Sequence, residues 1–314
     1  MRVTVAICTW NRARLLALTL GRMSDLVIPA GVELELLVIN NNSTDSTEQV
    51  VAGFAGRLPV RHIIEPQQGQ SHARNRALAI ATGDLILWTD DDVLVDTNWV
   101  AAYVDAAARW PGAGYFGGRI APRYEQEPPT WLSRNERILS GMLVAKDLSP
   151  VEGHFPLGEW PFGANMAFRR SAVNGIQFDP KFGLIGDNEI RNDETDYCRR
   201  LQRAGVAGVW VPSAFVQHWV GKDRMTLGYV RRYYQGYGRG KVRAAGPSVG
   251  RAAFGAPLWT YRALADATLR YLWKRVRRRE DWLLSYIDAA EARGLIIENR
   301  AQRAVPSGAR PGGH

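Results

Sequence analysis

Apolar runs alternate with helical patterns through the first third of the chain. Four short runs rich in Val, Ile and Leu have the character of buried strands, at residues 3–9, 34–39, 60–64 and 84–88. Helical patterns occupy the intervals between and after them, at residues 12–26, 45–54, 72–81 and 99–110. Strands that alternate with helices predict a mostly parallel central sheet with right-handed crossovers, flanked by helices. The predicted fold class is therefore α/β.

The pattern changes after the first third. Residues 115–160 are rich in Pro, Gly and aromatic residues and predict loops and short strands, followed by a helix at 193–204 and a short strand at 208–211. From residue 226 the chain has an amphipathic helical pattern, and residues 303–314 have the composition of a disordered tail. These features predict a catalytic domain at 1–225, with a donor-binding half at about 1–115 and an acceptor half at about 116–225. A helical extension at 226–302 and a tail at 303–314 follow it.

Composition and charge narrow the class of protein. Hydrophobic residues make up 46% of the 314 residues and charged residues 23%, which excludes global disorder. The net charge of +9 is uneven, because residues 222–314 contain 19 Lys and Arg against 7 Asp and Glu, whereas residues 1–221 contain 21 against 24. A basic C-terminal third indicates an anionic partner, either a lipid surface or a nucleic acid. The alternative is a solvated basic helix face.

The short length of the apolar segments indicates where in the cell the protein lies. The apolar stretch after Arg2 is too short for a signal-peptide core, and no run reaches the ~18 apolar residues of a membrane-spanning helix. The two cysteines, Cys8 and Cys198, do not make a disulfide framework. We therefore expect a cytoplasmic protein, either free or peripheral on the inner face of the plasma membrane.

Polar clusters follow three of the predicted strands. They are Thr9-Trp10-Asn11-Arg12, Asn40-Asn41-Asn42 and Asp90-Asp91-Asp92. In open parallel sheets the carboxyl ends of the strands share one edge, where ligands bind. Three adjacent carboxylates repel one another unless a cation is present, and Mg²⁺ or Mn²⁺ bound to a diphosphate takes such oxygen ligands. The sequence therefore predicts a divalent metal site.

Further candidates lie beyond these strand ends. Arg74 falls in the first turn of a predicted helix, where guanidinium and helix amides favour a phosphate. Asp193 and Glu194 open the helix at 193–204, although acidic residues at a helix start also favour the helix dipole. Asn165 follows a glycine in the Gly163-Ala164-Asn165 loop, and His218 is an imidazole that is able to complete an oxygen-rich metal site.

Together these motifs resemble an inverting family 2 glycosyltransferase with the GT-A fold. The resemblance spans roughly residues 3–237 and rests on the order and separation of the motifs. The matching pieces are the Cys8-Thr9-Trp10-Asn11-Arg12 start, the Asn41-Asn42-Ser43-Thr44-Asp45 turn, Ala73-Arg74-Asn75, the triple Asp that carries the DXD pattern, Gly163-Ala164-Asn165 and Asp193-Glu194-Thr195-Asp196.

The resemblance implies a role for each matching position. The residues implied to bind the nucleotide sugar are Thr9, Asn11, Arg12, Asn40, Asn42, Arg74, Asp90, Asp91 and Asn165. Asp92 is implied to bind the metal, which is Mg²⁺ or Mn²⁺, and Asp90 and His218 are the further candidate ligands. Glu194 or its neighbour Asp193 is implied as the catalytic base.

The implied reaction is a single displacement. A carboxylate takes the proton of an acceptor hydroxyl as that oxygen attacks the anomeric carbon, and the nucleoside diphosphate leaves. The partners are a nucleoside-diphosphate sugar and a glycan, glycolipid or lipid-linked acceptor of cell-surface polysaccharide or glycolipid assembly, whereas no nucleic acid is expected. The family usually has an acidic residue where Asn40 stands, so the nucleobase of the donor stays open. It often has Glu-Asp where Asp193-Glu194 stands, so the choice of catalytic carboxylate stays open as well.

Three other classes compete with this interpretation. A sugar-phosphate nucleotidyltransferase needs a glycine-rich loop after the first strand, and none is present there. A dinucleotide-dependent oxidoreductase needs G-x-G-x-x-G after a strand, whereas the glycine run at 236–240 follows a helical pattern. A basic membrane or nucleic-acid adaptor accounts for the C-terminal third but not for the acidic strand ends.

The basic extension contains one segment of special composition. Residues 261–282 combine aromatic residues with the run Lys274-Arg275-Val276-Arg277-Arg278-Arg279. This pattern predicts an interfacial helix on an anionic membrane. In the alternative, Leu264, Leu269, Leu272 and Trp273 pack on the catalytic domain and the arginines face water.

Overall fold

The computed structural model describes residues 1–173, 175–183 and 193–304. These residues form two compact units. The first comprises residues 1–128, 139–173, 175–183 and 193–221, and the second comprises 129–138 and 222–304.

The first unit is built around one mixed sheet. Its strands are β1 (Arg2–Thr9), β2 (Glu33–Asn40), β3 (Val60–Ile64), β4 (Leu85–Asp90), β5 (Val93–Val95), β6 (Ala113–Tyr124), β7 (Gly153–His154), β8 (Met166–Arg169) and β9 (Ala207–Val220). The strand order is β3-β2-β1-β4-β8-β6-β9-β5, and β7 pairs with β9. The four strands β3, β2, β1 and β4 are parallel, as are β6 and β9, whereas β8 runs antiparallel to both of its neighbours. The predicted α/β class with a mostly parallel sheet is confirmed.

Helices cover both faces of this sheet. The helices of the first unit are α1 (Ala13–Met23), α2 (Thr47–Ala52), α3 (Gln70–Ile80), α4 (Trp99–Arg109), α6 (Ser140–Leu143), α7 (Arg170–Val173) and α8 (Asp193–Arg203), whereas α5 (Thr130–Ser133) belongs to the second unit. Successive strand residues point to opposite faces, so β1 places Val5 in one apolar cluster with α1 and α4, and Ala6 in another with α3 and α8. Strands buried on both faces are apolar throughout, which is why the sequence pattern of β1, β2 and β4 is easy to interpret.

Strand β9 is longer than the sequence indicated. The predicted strand at 208–211 ended before Pro212, but β9 continues to Val220. The register with β6 shifts from Gly118 opposite Val211 to Ile120 opposite Val216, so residues 212–215 bulge opposite Arg119. A bulge accommodates a proline, which has no N–H to donate. Strand β6 likewise replaces the loops and short strands predicted for much of its length.

The second unit is helical. Its long helices are α9 (Leu227–Ala245), α10 (Leu258–Val276) and α11 (Trp282–Ala304), and a short hairpin of β10 (Ala252–Ala253) and β11 (Ala256–Pro257) precedes α10. Residues 129–138 cluster with these helices rather than with the catalytic segment to which the sequence assigned them, and Trp131 approaches Trp282 at a ring-centroid distance of 6.5 Å.

The described helices do not include one that is long and apolar enough to cross a membrane. The helix predicted at 261–282 is not continuous, because α10 ends at Val276 and Arg278 adopts a left-handed conformation (φ 51°) before α11 begins. Helix α11 extends through Ala304, so it includes the first two residues of the predicted tail. Residues 305–314 of that tail lie outside the described residues.

Candidate active site

The ends of three parallel strands meet at one edge of the sheet. Thr9, the last residue of β1, is in register with Asn40 at the end of β2, and Cys8 is in register with Asp90 at the end of β4. The three polar clusters that follow these strands are therefore neighbours in space. Because parallel strands end on the same side, this placement follows from the order of the apolar runs.

Asp91 and Asp92 are buried and held by neighbouring groups. The Thr9 hydroxyl donates to Asp91 at 2.8 Å, and Nη1 of Arg12 donates to both Asp91 (2.9 Å) and Asp92 (2.8 Å). The two acidic side chains are only 5% and 3% exposed, whereas that of Arg12 is 38% exposed. Arg12 thus neutralises part of the charge of two buried carboxylates from the solvent side.

Asp90 lies at the same strand end with less compensation. Burial, and then the charge of Asp92, raise the pKa of the Asp90 carboxyl to about 7. A carboxyl group in this state gains from a cation, and the donor set of carboxylate oxygens suits Mg²⁺ or Mn²⁺. The acidic edge of the sheet therefore fits a divalent cation by its chemistry.

The structure does not assemble the predicted metal ligands into one group. Nε2 of His218 lies 3.4 Å from Asp92, with both side chains almost fully buried. Among residues 1–173, 175–183 and 193–304, however, no three His, Cys, Asp or Glu side chains are arranged as a metal-binding group. His218 occupies an inward position of β9 beside β5, and the Trp219 N–H donates to the Asp92 carbonyl at 2.8 Å. The structure thus gives His218 and its strand a part in supporting Asp92.

The asparagine cluster shapes the loop after β2. Asn11 and Asn42 both adopt left-handed conformations, with φ of 52° and 71°. The Asn11 side chain accepts from the Thr44 N–H at 2.7 Å, so the loops after β1 and β2 are joined, while Asn42 stays exposed. Asn40 is buried next to Nε2 of His62 (3.1 Å) and accepts from the Ser43 N–H. The Asn40 amide therefore has a polar neighbour that the sequence did not indicate.

Arg74 connects α3 to the start of α8. Its guanidinium forms an ion pair with Asp193 and lies 3.5 Å from Glu194. Burial disfavours the charge of Arg74, but Asp193 and Glu194 offset this effect and raise its pKa, with a further contribution from Asp90. The ring of Phe178 supports the same guanidinium at 5.3 Å. Arg74 therefore stands between the acidic strand end and the acidic helix start.

The backbone of Gly163 lies too close to Arg74 for a side chain to fit between them. A Cβ at this position would lie 2.2 Å from a guanidinium nitrogen of Arg74, which is buried and has little room to move. Only glycine allows the loop to pass this close to Arg74.

Asn165 serves as an internal connection in this structure. Its amide group donates to the carbonyls of Arg119 (3.0 Å) and Ala214 (2.7 Å). Its oxygen accepts from Trp99 Nε1 (2.8 Å) and the Tyr103 hydroxyl (2.7 Å), and the residue is fully buried. All four hydrogen bonds of the amide are therefore made within the protein, so no polar atom of Asn165 is left for the contact with a sugar that the resemblance implies.

Several residues support the site through contacts that the sequence does not indicate. Thr19 of α1 donates to the Asp91 carbonyl at 2.9 Å, and Phe178 stacks under Arg74. Asn41 donates to the carbonyls of Glu65 and Gln67 and accepts from the Gly69 N–H, so it fixes the loop that leads into α3. These contacts join residues distant in the chain, and a local pattern does not reveal them.

Comparisons with known proteins agree with the geometry. The family model described as Glycosyl transferase family 2 matches residues 4–176. The succinoglycan biosynthesis protein ExoM of Rhizobium meliloti is 26% identical over 250 residues, which cover 78% of this chain and 76% of that protein. The glucosyl-dolichyl phosphate glucuronosyltransferase of Haloferax volcanii is 24% identical over 245 residues, 76% of each chain.

The fold is also similar to solved structures. The mannosyltransferase PcManGT from Pyrobaculum calidifontis, in complex with GDP-Man and Mn²⁺, superposes with a TM-score of 0.62 at 21% identity, covering 95% of this chain and 86% of that one. Residues 1–349 of S. aureus TarS in complex with UDP give a TM-score of 0.55 at 14% identity, covering 96% and 92%. The predicted GT-A fold is confirmed. Because the family model matches more than half of its length, the chain belongs to glycosyl transferase family 2 and is a glycosyltransferase with the GT-A fold.

Proposed function

We propose that this protein is a metal-dependent, inverting glycosyltransferase that moves a sugar from a nucleoside-diphosphate sugar to an acceptor hydroxyl. One observation carries the proposal: buried Arg74 lies between the acidic end of β4 and the two carboxylates that open α8. A cationic group next to an acidic strand end suits a diphosphate, and a carboxylate at the same place suits a general base.

The donor occupies the edge formed by the ends of β1, β2 and β4. Thr9, Asn11, Arg12, Asn40 and Asn42 line the nucleotide side of this edge. Arg74 and the residues Asp90 and Asp91 lie where the diphosphate and its sugar would be. A divalent ion, when bound by Asp92 with Asp90, would offset the negative charge of the diphosphate.

Glu194 is the proposed catalytic base. Its side chain is 24% exposed, whereas Asp193 is 2% exposed and held by Arg74. An acceptor hydroxyl can therefore reach Glu194 but not Asp193. Glu194 takes the proton of that hydroxyl as its oxygen attacks the anomeric carbon, and Arg74 stabilises the charge that develops on the leaving diphosphate.

The thiols near the site do not supply a nucleophile. Burial raises the pKa of Cys8 to about 12, and burial also raises the pKa of Cys198. Such thiols stay protonated near neutral pH, so they are inert toward an anomeric carbon. This supports a single displacement by the acceptor, with inversion, over a double displacement through a cysteine.

The acceptor class is proposed from the names of relatives. The Haloferax volcanii relative is named for a dolichyl-phosphate substrate. A relative of Mycobacterium tuberculosis, 29% identical over 219 residues, is named as an N-acetylglucosaminyl-diphospho-decaprenol L-rhamnosyltransferase. We propose that this protein likewise acts on a glycan, glycolipid or lipid-linked acceptor and that it transfers a hexose or deoxyhexose.

A donor screen tests the proposal. The protein is incubated with UDP-, GDP- and dTDP-sugars and with Mn²⁺ or Mg²⁺, and release of the nucleoside diphosphate is measured. We expect one class of donor to be hydrolysed or transferred, with the activity lost in Glu194→Gln and kept in Asp196→Asn, whose side chain pairs with Arg200 at 2.8 Å one turn further along α8. NMR of the transferred sugar reports whether the anomeric configuration is inverted. Activity that is independent of divalent cations, or a product that retains the configuration, would contradict the mechanism.

A further inference from the structure

The outward face of α10 carries an apolar stripe. Leu269, Leu272, Trp273 and Val276 expose 67%, 52%, 56% and 82% of their surface. They are spaced i, i+3, i+4 and i+7, so they form one continuous line along the helix. A solvated helix face normally carries polar residues, and a contiguous apolar stripe marks an interaction surface.

The opposite face of α10 already has its partner. Thr260 and Ala267 are buried, and Tyr271 packs its ring against Trp282 and Tyr286 of α11 at centroid distances of 6.1 and 5.2 Å. The exposed stripe therefore lies outside the contact between α10 and α11. Helix α10 has two apolar faces, and the second one needs a different occupant.

A cluster of arginines continues the stripe at its C-terminal end. Residues 270–279 contain six Lys and Arg and no Asp or Glu. Lys274 pairs with Asp281 at 2.8 Å. Within the part of the chain that the structure describes, no carboxylate pairs with Arg275, Arg277 or Arg278. The Arg277 guanidinium instead lies 5.8 Å from the centre of the Trp273 ring, so apolar and cationic groups share one surface. Arg275 lies 4.7 Å from the centre of the Trp282 ring, at the border of this surface with the face that packs on α11.

We propose that this face of α10, with its arginine cluster, binds the surface of an anionic lipid bilayer. In this position Leu269, Leu272 and Val276 enter the acyl boundary, Trp273 lies at the headgroup level and the arginines contact lipid phosphates. A nucleic acid would match the arginines but leave the apolar stripe in water. A second copy bound through a two-fold axis would bring the arginine clusters of both copies together, which is unfavourable. The proposal goes beyond the proposed function, because it uses no residue of the sugar-transfer site.

Vesicle binding of the full chain tests this proposal. The probes are vesicles of phosphatidylcholine alone and vesicles in which half of the lipid is phosphatidylglycerol, each at low and high salt. We expect about tenfold or stronger binding to the anionic vesicles, weakened by salt because ions screen the attraction. Binding should also shift the tryptophan emission to the blue, and Trp273→Ser should reduce that shift.

Three variants separate the contributions. Arg275→Gln/Arg277→Gln/Arg278→Gln should remove the preference for anionic lipid, and Leu269→Ser/Leu272→Ser/Val276→Ser should weaken binding to all vesicles. Arg231→Gln/Arg232→Gln/Arg293→Gln makes the same change of charge on exposed residues of α9 and α11, and it should bind like the wild type. Circular dichroism confirms that each variant is folded.

Several outcomes would overturn the proposal. One is equal recovery of the wild type in the supernatant under all four conditions, and another is the same loss of binding in the α9 and α11 control. Concentration-dependent dimers that disappear in the apolar variant, without vesicle binding, would assign the stripe to a second copy. Salt-sensitive binding to duplex DNA or RNA, without vesicle binding, would assign the arginines to a nucleic acid.

Discussion

Arg74 and Asp193 form an ion pair in which both side chains are almost excluded from solvent, with exposed fractions of 3% and 2%. The next residue, Glu194, lies 3.5 Å from the same guanidinium but keeps 24% of its side chain exposed. Two adjacent carboxylates thus face one arginine in different environments. One is fixed inside the protein, and the other is accessible to a substrate.

This difference predicts opposite effects of two substitutions. Glu194→Gln should lower kcat by about 10²-fold or more, as loss of a general base does, with little change in donor affinity or in Tm. Asp193→Asn should instead lower the free energy of unfolding by roughly 3–5 kcal/mol, because it leaves Arg74 buried without its main counter-charge. Steady-state kinetics and urea unfolding separate the two effects. If Asp193→Asn reduces kcat more than Glu194→Gln at unchanged stability, the base is Asp193.

The acidic strand end predicts a metal-dependent effect. Asp92→Asn should abolish transfer and remove the Mn²⁺-dependent rise in Tm that UDP or GDP produces in the wild type. Asp105→Asn changes an exposed carboxylate on α4 and should leave both unchanged. The measurement is scanning fluorimetry with each nucleotide, with and without Mn²⁺ and after EDTA. A nucleotide shift that persists in Asp92→Asn and requires Mn²⁺ would place the metal elsewhere.

Asn165 should matter chiefly for stability. Asn165→Ala leaves the Trp99 and Tyr103 donors and the carbonyls of Arg119 and Ala214 without their partner. Each unsatisfied buried group costs about 1–3 kcal/mol, so we expect the free energy of unfolding to fall by roughly 3 kcal/mol or more. Asn98→Ala, on an exposed position before α4, is the control. A folded Asn165→Ala protein of near-native stability that has lost activity would restore the sugar-binding role implied by the family.

Glu298 predicts how the stability of the helical unit depends on pH. Burial alone would raise its pKa, but hydrogen bonds from Arg243 (2.7 Å) and Arg239 (3.1 Å) hold the pKa below its usual value. A carboxyl group whose pKa is lowered by folding stabilises the protein above its unfolded pKa of about 4.3, and this contribution is lost as the pH falls through the folded pKa.

The test compares the wild type with Glu298→Gln by chemical unfolding from neutral pH to the acidic range. The variant should be less stable near pH 7, and the difference should narrow below pH of about 4. Glu291→Gln removes a more exposed ion pair with Lys241 and should have a smaller effect. A difference that stays constant down to low pH would mean that the charge of Glu298 is not what stabilises the unit.

Two glycines allow α9 and α11 of the second unit to pack closely against each other. A Cβ at Gly238 of α9 would lie 2.3 Å from the Glu291 carbonyl of α11, and one at Gly294 would lie 2.1 Å from the Gln235 carbonyl. Gly238→Ala should therefore destabilise the protein, although alanine favours a helix by about 1 kcal/mol. Gly228→Ala, in the same helix with no atom nearer than 3.9 Å, should be neutral or stabilising. Equal Tm values for the two variants would show that the helices separate at no cost.

The sequence predicted the parts of the fold that have local causes. Strand β3 was predicted with the bounds that the structure has, and β1, β2 and β4 within two residues, because strands buried on both faces are apolar throughout. The convergence of Thr9 and Asp91 follows from the same order of strands. Asp45, where the helical pattern of α2 begins, accepts hydrogen bonds from Thr47. The residue directly before α2 is Ser46, however, so the helix starts one residue later than it would if Asp45 were its N-cap.

The remaining features depend on partners distant in the chain. Arg74 and Asp193 are 119 residues apart, and the pairing of the Asn165 oxygen with Trp99 and Tyr103 spans more than 60 residues. The helical pattern before the glycine run at 236–240 indicates that the run is not a dinucleotide-binding motif. The sequence does not indicate that Gly238 packs on α11, because that contact depends on where Gly294 lies in space. The second half of β9 was missed because Pro212 and the polar residues after it interrupt the apolar pattern.

Strand β8 lies between β4 and β6 in the sheet of the first unit. It pairs with β4 on one side and with β6 on the other, and Met166 at its start is in register with Trp88, two residues before Asp90. A rotation of β4 relative to β6 would break the hydrogen bonds of β8 on both sides, so we expect this sheet to stay rigid when a substrate binds. We therefore expect substrates to reach the site through movements of loops and side chains beside the sheet. Substitutions in those loops can then change the choice of donor without altering the sheet.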